Sequence, residues 1–112
     1  MEELPVVKPS IEIDKNEVTL LGSLVRDPEP RYTGKGKLVC NFSLCVLRGP
    51  LKTFVACTCW EEIAERVACL KARQRVYIRG RIQTRIWEKN GEKRTSTEVI
   101  CDQILAKNGG VQ

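Results

Sequence analysis

Histidine is absent from the 112 residues of the sequence, so the side chain that most often exchanges protons near neutral pH is missing. A glycine-rich phosphate-binding loop is also absent, and no carboxylates are paired in a way that suits acid–base or nucleophilic work. These absences predict a protein that is not an enzyme, has no catalytic residues and needs no cofactor.

Long apolar runs are absent as well. No stretch approaches the about 18 apolar residues of a membrane-spanning helix. The opening residues MEELPVVKPS are acidic and are interrupted by Pro5 and Pro9, unlike a secretion signal. We therefore expect a cytoplasmic protein without membrane contact.

The six cysteines, at positions 40, 45, 57, 59, 69 and 101, are predicted to be reduced thiols, because no secretion signal precedes them. Cys57 and Cys59 would lie on one strand face about 7 Å apart. A zinc site there would need ligands from elsewhere, and the sequence has neither histidine nor a C-x-x-C motif. We expect no metal site and interpret the pair as small buried hydrophobes.

Positive charge is concentrated in one segment. The chain carries 19 Lys and Arg against 14 Asp and Glu, a formal net charge of +5. Residues 71–94 alone hold nine of these cations and only two glutamates, so the remainder is acidic on balance. This asymmetry favours a polyanionic partner that contacts one part of the fold.

Periodicity predicts an all-β domain. Residues 1–15 contain two prolines and no clean period, which is typical of an N-terminal arm. Alternation then predicts five strands, with a reversal at Gly34 and Gly36 and a hairpin turn at Asn90-Gly91. The segments from strand two onward are residues 38–46, a loop at 47–52, a strand at 53–59, a helix at 61–70, and strands at 75–87 and 95–105. Five strands with one α-helix between strands 3 and 4 are the elements of an OB-fold barrel. We place this domain at residues 16–106, with a short tail at 107–112.

The alternation also assigns faces. In the second strand Leu38, Cys40, Phe42, Leu44 and Val46 are expected to point into the core. In the third strand the outer positions are Phe54, Ala56, Thr58 and Trp60, and in the fourth the inner positions are Val76, Ile78, Gly80, Ile82 and Ile86. The prolines among residues 26–30 are expected to keep that segment out of a ladder.

The outer side of the fourth strand combines arginines with aromatics. Guanidinium groups such as those of Arg81 and Arg85 can neutralise phosphates, while Tyr77 and Trp87 can stack on bases. Exposed Phe54 and Trp60 on the third strand would add stacking surfaces, and Lys89, Lys93 and Arg94 would line a flexible hairpin finger. Each of these features also has an interpretation without nucleic acid. The fourth strand could be an ordinary solvated strand and the hairpin a soluble turn, while Trp60 could pack as a lid on the helix and Tyr77 could lie in a subunit interface.

Six phrases resemble the bacterial single-stranded-DNA-binding protein family in the family's own order, over about residues 16–104. They are NEVTLLGSL at 16–24, DPE at 27–29 with RYT at 31–33, NFSL at 41–44, VYIRGR at 76–81, QTRIW at 83–87 and NGEKR at 90–94.

The resemblance implies base-stacking roles for Phe54, Trp60 and Trp87, with Phe54 standing where the family usually has tryptophan. It also implies phosphate contacts for Arg85 and its neighbours. Because the family forms homotetramers built from dimers, it implies subunit contacts for Tyr77 and the first strand, and we place Arg79 at the same interface; a dimer is the second choice. Implied partners are single-stranded DNA at the nucleoid and replication or repair proteins.

Four features of the sequence depart from the family's usual pattern. The loop between the second and third strands is shorter, so each subunit is expected to wrap less DNA. Arg73 stands near the usual glycine, and Arg79 replaces a glutamate, which adds charge or alters an interface. Residues 108–112 replace the family's long linker and acidic tip. We expect either a short paralogue without that recruiting function or a part of a longer chain that carries it beyond these residues.

The leading hypothesis is sequence-tolerant binding of single-stranded DNA in replication, recombination or repair. One alternative is a primosome-like adaptor that uses the OB barrel for protein–protein contacts. A second alternative is a single-stranded RNA binder, because stacking does not report the 2′-hydroxyl.

Overall fold

The computed structural model describes residues 14–107, and the predicted arm at 1–15 and tail at 107–112 lie mostly outside these residues. The elements in chain order are β1 Val18–Leu24, β2 Glu29–Tyr32, β3 Leu38–Arg48, β4 Leu51–Trp60, α1 Glu61–Ala68, β5 Arg75–Lys89 and β6 Glu92–Lys107. In the described part of the chain, no helix is long and apolar enough to cross a membrane.

Five of the strands close into a barrel. The order around the sheet is β1-β5-β6-β4-β3, and an additional pairing of β1 with β3 completes the ring. The helix α1 follows β4 directly and precedes β5. The predicted OB-fold architecture is therefore confirmed, with the predicted third and fourth strands corresponding to β4 and β5.

Closure depends on two short seams. β1 pairs with β5 over residues 18–23 and then meets β3 at Ser23 and Leu24. A Cβ atom on Gly22 would stand 2.4 Å from the carbonyl oxygen of Cys45, so only glycine allows this close approach. On the other side, β4 and β6 pair in parallel at only two positions, Cys57 with Val99 and Thr58 with Ile100.

The short strand β2 is an addition that corrects the prediction for residues 26–30. Glu29 and Pro30 do enter a ladder, where they pair with Asn41 and Cys40 of β3. β2 is the outermost strand of the sheet, and a proline is tolerated at an edge because its missing N–H can face solvent.

The core lies where alternation predicted it for most of the barrel. Fully or nearly fully buried side chains include Cys40, Phe42 and Leu44 of β3, and Val76 and Ile78 of β5. From α1 the core receives Ala64 and Val67, whereas Ile63 and Leu70 only pack against its margin. The helix ends at Ala68, two residues before the predicted end.

The cysteines follow the prediction: all six are free thiols, and Cys57 and Cys59 are buried. Burial raises the pKa of Cys40 and of Cys59. A hydrogen bond with the Cys57 side chain, together with burial, raises the pKa of Cys101. These core thiols therefore stay protonated, and thiols rather than thiolates are poor nucleophiles.

Four positions in the sheet contradict the predicted faces. Val39 of β3, which alternation placed opposite the core face together with Asn41, is only 1% exposed. Ile82 and Ile86 of β5 are exposed, at 47% and 63%, because the strand runs beyond the barrel there. Thr58 of β4 is only 5% exposed, because groups from β3 and β6 cover and bond its hydroxyl.

Candidate nucleic-acid interface

A long hairpin arm projects from the barrel. We define the arm as residues 82–98, in which β5 and β6 continue to pair from Ile82 opposite Val99 to Lys89 opposite Glu92. Asn90 and Gly91 both have positive φ, 54° and 79°, as a two-residue type I′ turn requires. The predicted hairpin turn is confirmed, and both strands are longer than predicted.

The base of the arm is fixed by backbone geometry. The ladder between β5 and β6 shifts register between Arg79 and Gly80, the mark of a β-bulge. A Cβ atom on Gly80 would lie 1.9 Å from the carbonyl oxygen of Ile100, so the two strands approach closely only because this residue is glycine.

Asn16 pins the first residue of the arm. Its Nδ2 donates to the carbonyl oxygen of Ile82 at 2.7 Å, and the Ile82 N–H donates to Asn16 Oδ1 at 2.8 Å. The amide therefore takes the place of a strand residue opposite Ile82, just beyond the last β1–β5 pair, Val18 with Gly80.

A groove lies between the arm and the outer face of β3 and β4. It encloses about 410 Å³. Its lining includes three arginines, three acids, and three polar residues and one alanine from the outer positions of β3 and β4: Arg26, Arg31, Arg85, Asp27, Glu29, Glu98, Asn41, Ser43, Thr58 and Ala56.

Two exposed aromatics stand on the groove face of β4. Phe54 is 63% exposed and Trp60 is 41% exposed. Both alternate with the core residues Cys57 and Cys59, so they share a face with Thr58. The predicted outward orientation of these two aromatics is confirmed.

The floor of the groove carries a row of polar side chains. Arg31 donates to Asn41 Oδ1 at 3.2 Å, Asn41 Nδ2 donates to Thr58 Oγ1 at 2.9 Å, and Thr58 donates to Glu98 Oε1 at 2.8 Å. The row crosses four strands, β2, β3, β4 and β6.

The cations of the arm divide between the groove and the tip. Arg85 lines the groove, and its guanidinium carbon lies 5.1 Å above the centre of the Trp87 ring, within cation–π range. Lys89, Lys93 and Arg94 are exposed at the tip, and Arg94 lies 3.6 Å from Glu92. Trp87, directly opposite Arg94, is 37% exposed.

Arg81 lies apart from this groove. Its guanidinium is paired with the Asp102 carboxylate at 3.0 Å. Both side chains line a separate depression beside Arg79 and the start of β1. The structure therefore brings Arg85 and Trp87 together but leaves Arg81 outside their group.

Tyr77 belongs to an apolar row on the outer surface of the barrel. Leu21, Tyr77 and Leu105 stand side by side on β1, β5 and β6, and all three are exposed. Arg79 lies next along β5 on the same face.

Sequence reasoning missed Arg26, Arg31 and Glu98 as groove residues. Arg31 follows a proline-rich segment without a strand period, so its face could not be assigned. The signal for Asn41 and Thr58 was present in their polar character at predicted outward positions, but their bonds to distant strands are not encoded locally. Within residues 14–107 no cluster of three or more His, Cys, Asp or Glu side chains is arranged to hold a metal ion.

Comparison with known proteins gives consistent matches. The model of the "Single-strand binding protein family" matches residues 15–106. "Single-stranded DNA-binding protein 3" of Listeria innocua is 39% identical over 99 residues, which cover 80% of this chain and 61% of that protein. The "Single-stranded DNA-binding protein" of Halalkalibacterium halodurans is 40% identical over 99 residues, covering 80% of this chain and 58% of the relative.

A protein of the same name from Mycobacterium leprae is 38% identical over 100 residues, covering 78% of this chain and 60% of that protein. The chain thus spans about three fifths of the length of these curated relatives.

Proposed function

The chain belongs to the single-strand binding protein family, and on that premise we propose that it binds single-stranded DNA. Binding is tolerant of sequence, proceeds by base stacking and phosphate neutralisation, and involves no chemical reaction. The protein serves replication, recombination or repair, in the cytoplasm at the nucleoid.

One observation carries the proposal: arginines line a groove, and exposed aromatics lie on the same face of β4 as its lining residues Ala56 and Thr58. Phe54 and Trp60 flank its floor on β4, while the arm presents Arg85 stacked against Trp87. Exposed aromatic rings beside cations are the combination with which single-strand binders stack bases and neutralise phosphates. Each base stacked on such a ring contributes about 1–3 kcal/mol.

The cations supply the second half of the binding free energy. Arg85 at the groove, with Lys89, Lys93 and Arg94 at the tip, can follow a phosphate backbone that passes from the barrel onto the arm. The charge of Arg81 is compensated by Asp102, so we assign Arg81 a weaker, outlying phosphate contact.

Fluorescence titration with oligo-dT tests this function. Trp60 and Trp87 are the two tryptophans of the chain, so Trp87→Ala leaves Trp60 as a single reporter and Trp60→Phe leaves Trp87. We expect quenching by DNA, weaker binding by about tenfold in Trp87→Ala, and an affinity that falls with salt at a slope near −0.7 per phosphate contact.

The same titration distinguishes the other candidate functions. Matched RNA and DNA oligomers rank the two nucleic acids directly. An absence of quenching at about 50 mM salt, where phosphate contacts are strongest, would contradict nucleic-acid binding and favour the protein-adaptor function.

We also propose that the apolar row of Leu21, Tyr77 and Leu105 is a contact between copies of the chain, in a homotetramer or a dimer. Three adjacent exposed apolar side chains on a β-sheet support a protein contact at this surface. Sedimentation of Tyr77→Glu, compared with Phe54→Glu on the groove face of β4, tests the assignment. The first substitution should lower the mass of the assembly, and the second should leave it unchanged.

A further inference from the structure

The hydrogen bonds across the groove floor have a fixed direction. Glu98 as a carboxylate can only accept, so the single hydroxyl proton of Thr58 points to it. Thr58 must then accept from the Asn41 amide, and the amide oxygen of Asn41 accepts from Arg31. All bonds therefore run from a guanidinium at one end to a carboxylate at the other, and such aligned bonds strengthen one another.

Glu98 is the acceptor end of this row. Two other acids line the groove, but Asp27 accepts the backbone N–H of Ala72 at 2.8 Å and Glu29 lies on the outermost strand. Glu98 is half-buried and is held by the buried Thr58, so its carboxylate has one orientation. A carboxylate offers about four acceptor sites, and Thr58 occupies one of them.

A carboxylate in a groove for a polyanion calls for a functional reason. The Thr58 hydroxyl could be satisfied by a neutral acceptor, so satisfying it does not require the negative charge. The charge does repel phosphate, which favours a path of the backbone toward Arg26 and Arg85, two arginines that also line the groove. The strand is then oriented with its bases toward the floor.

We propose that Glu98 selects among these bases by accepting hydrogen bonds from exocyclic amino groups, so that cytosine, adenine and guanine are favoured over thymine at the floor. This inference rests on the proposed binding of single-stranded DNA. Cytosine N4, adenine N6 and guanine N2 are donors, whereas the exocyclic oxygens of thymine are acceptors. The oxygens flanking the thymine N3–H would face a carboxylate of like charge.

The position of Trp60 brings a base edge to the carboxylate. Trp60 lies two residues from Thr58 on the same strand face, which corresponds to about 7 Å. We infer from this spacing that the edge of a base stacked on Trp60 reaches the Thr58–Glu98 pair. Selection at one such position is compatible with a protein that is tolerant of sequence over the rest of its path.

The substitution Glu98→Gln tests the proposal. The introduced amide keeps an oxygen that accepts from Thr58, but it removes the charge and gains an N–H₂ that can donate to thymine. We expect tighter binding of both oligo-dC and oligo-dT, and a dC-over-dT affinity ratio lowered by about fivefold or more. Because the same free oligonucleotides are used with both proteins, their own stacking cancels when the ratios are compared.

Glu65→Gln is the matched control, because it removes the same charge from an exposed position of α1 outside the groove. Its dC-over-dT ratio should equal that of the unmodified chain. Equal thermal unfolding midpoints for the three proteins would show that the comparison is made on the same fold.

Two results would overturn base selection. If Glu98→Gln raises the affinity for oligo-dC and for oligo-dT by the same factor, the carboxylate acts only through its charge. If neither affinity changes, the carboxylate does not face the DNA. Failure of the unmodified protein to bind either oligonucleotide is a different result, since it refutes the proposed function itself and this inference with it.

Discussion

Strands β5 and β6 are shared by two regions of the molecule that differ in almost every physical respect. In the barrel, Val76 and Ile78 face a core that also holds Val99 and Cys101. In the arm, every residue of β5 is exposed, including Ile82 and Ile86. The alternation of apolar and polar residues continues across the boundary, so alternation reports which residues share a face and not whether a second layer covers that face.

The largest expected effect on stability comes from comparing two isoleucines on the same face of β5, one in the barrel and one in the arm. Ile78→Ala removes a fully buried side chain and should lower the free energy of unfolding by about 4 kcal/mol, through lost burial and a cavity. Ile86→Ala should change it by less than about 0.5 kcal/mol. Urea unfolding followed by circular dichroism measures both, and similar losses would mean that the arm packs against something in solution.

The boundary itself should be the next most sensitive point. Gly80→Ala places a Cβ atom against the carbonyl oxygen of Ile100. It should lower the free energy of unfolding by about 3 kcal/mol, because the backbone of β5 or β6 must move to make room. Gly34→Ala is the control, since a Cβ atom there meets no neighbour within 4 Å. A stable Gly80→Ala protein with unchanged unfolding would contradict the close approach of β5 and β6.

Alkaline pH should weaken the barrel and not the arm, which contains no cysteine. The pKa of Cys59 and that of Cys101 are raised in the folded chain. Above the ordinary thiol pKa of 9.0 the unfolded chain therefore releases protons that the folded chain keeps. Stability is fully present below that pH and falls as pH rises, by about 1 kcal/mol for the two thiols together at pH 9.

Urea unfolding at a series of pH values measures this decline. Cys59→Ala should reduce its slope, whereas Cys69→Ala, which removes an exposed thiol, should leave the slope unchanged. Identical slopes in all three proteins would assign the decline to other groups.

The smallest expected effect couples the two regions. Asn16→Ala removes both hydrogen bonds at the base of the arm and should weaken DNA binding by about threefold, because the arm loses its fixed angle over the groove. In a Trp87→Ala background the same substitution should have almost no further effect. An equal loss in both backgrounds would indicate general destabilisation instead of positioning.

The sequence was sufficient for the barrel because its signals are local. Alternation identified the core residues Cys40, Phe42 and Leu44 of β3 and Val76 and Ile78 of β5, and the apolar spacing at 61–70 identified the helix. The exposed positions of Phe54 and Trp60 followed from the same alternation.

What the sequence could not provide depends on distant partners. Ile82 is exposed because the β1–β5 ladder ends at the pair of Val18 and Gly80. The residues of the arm do not encode where β1 ends. Thr58 is buried by bonds to Asn41 and Glu98, which lie 17 and 40 residues away. The pairing of Glu29 and Pro30 with β3 likewise required knowledge of which strand forms the edge of the sheet.

The parallel seam between β4 and β6 has a consequence for the order of folding. The β3–β4 and β5–β6 hairpins connect neighbours in sequence and can form early, whereas the seam joins residues separated by α1 and all of β5. Closing that long loop lowers the entropy of the chain, and the two residue pairs of the seam contribute little favourable enthalpy to offset the loss. We expect the two hairpins to form first and the closure of the barrel between them to be the rate-limiting step of folding.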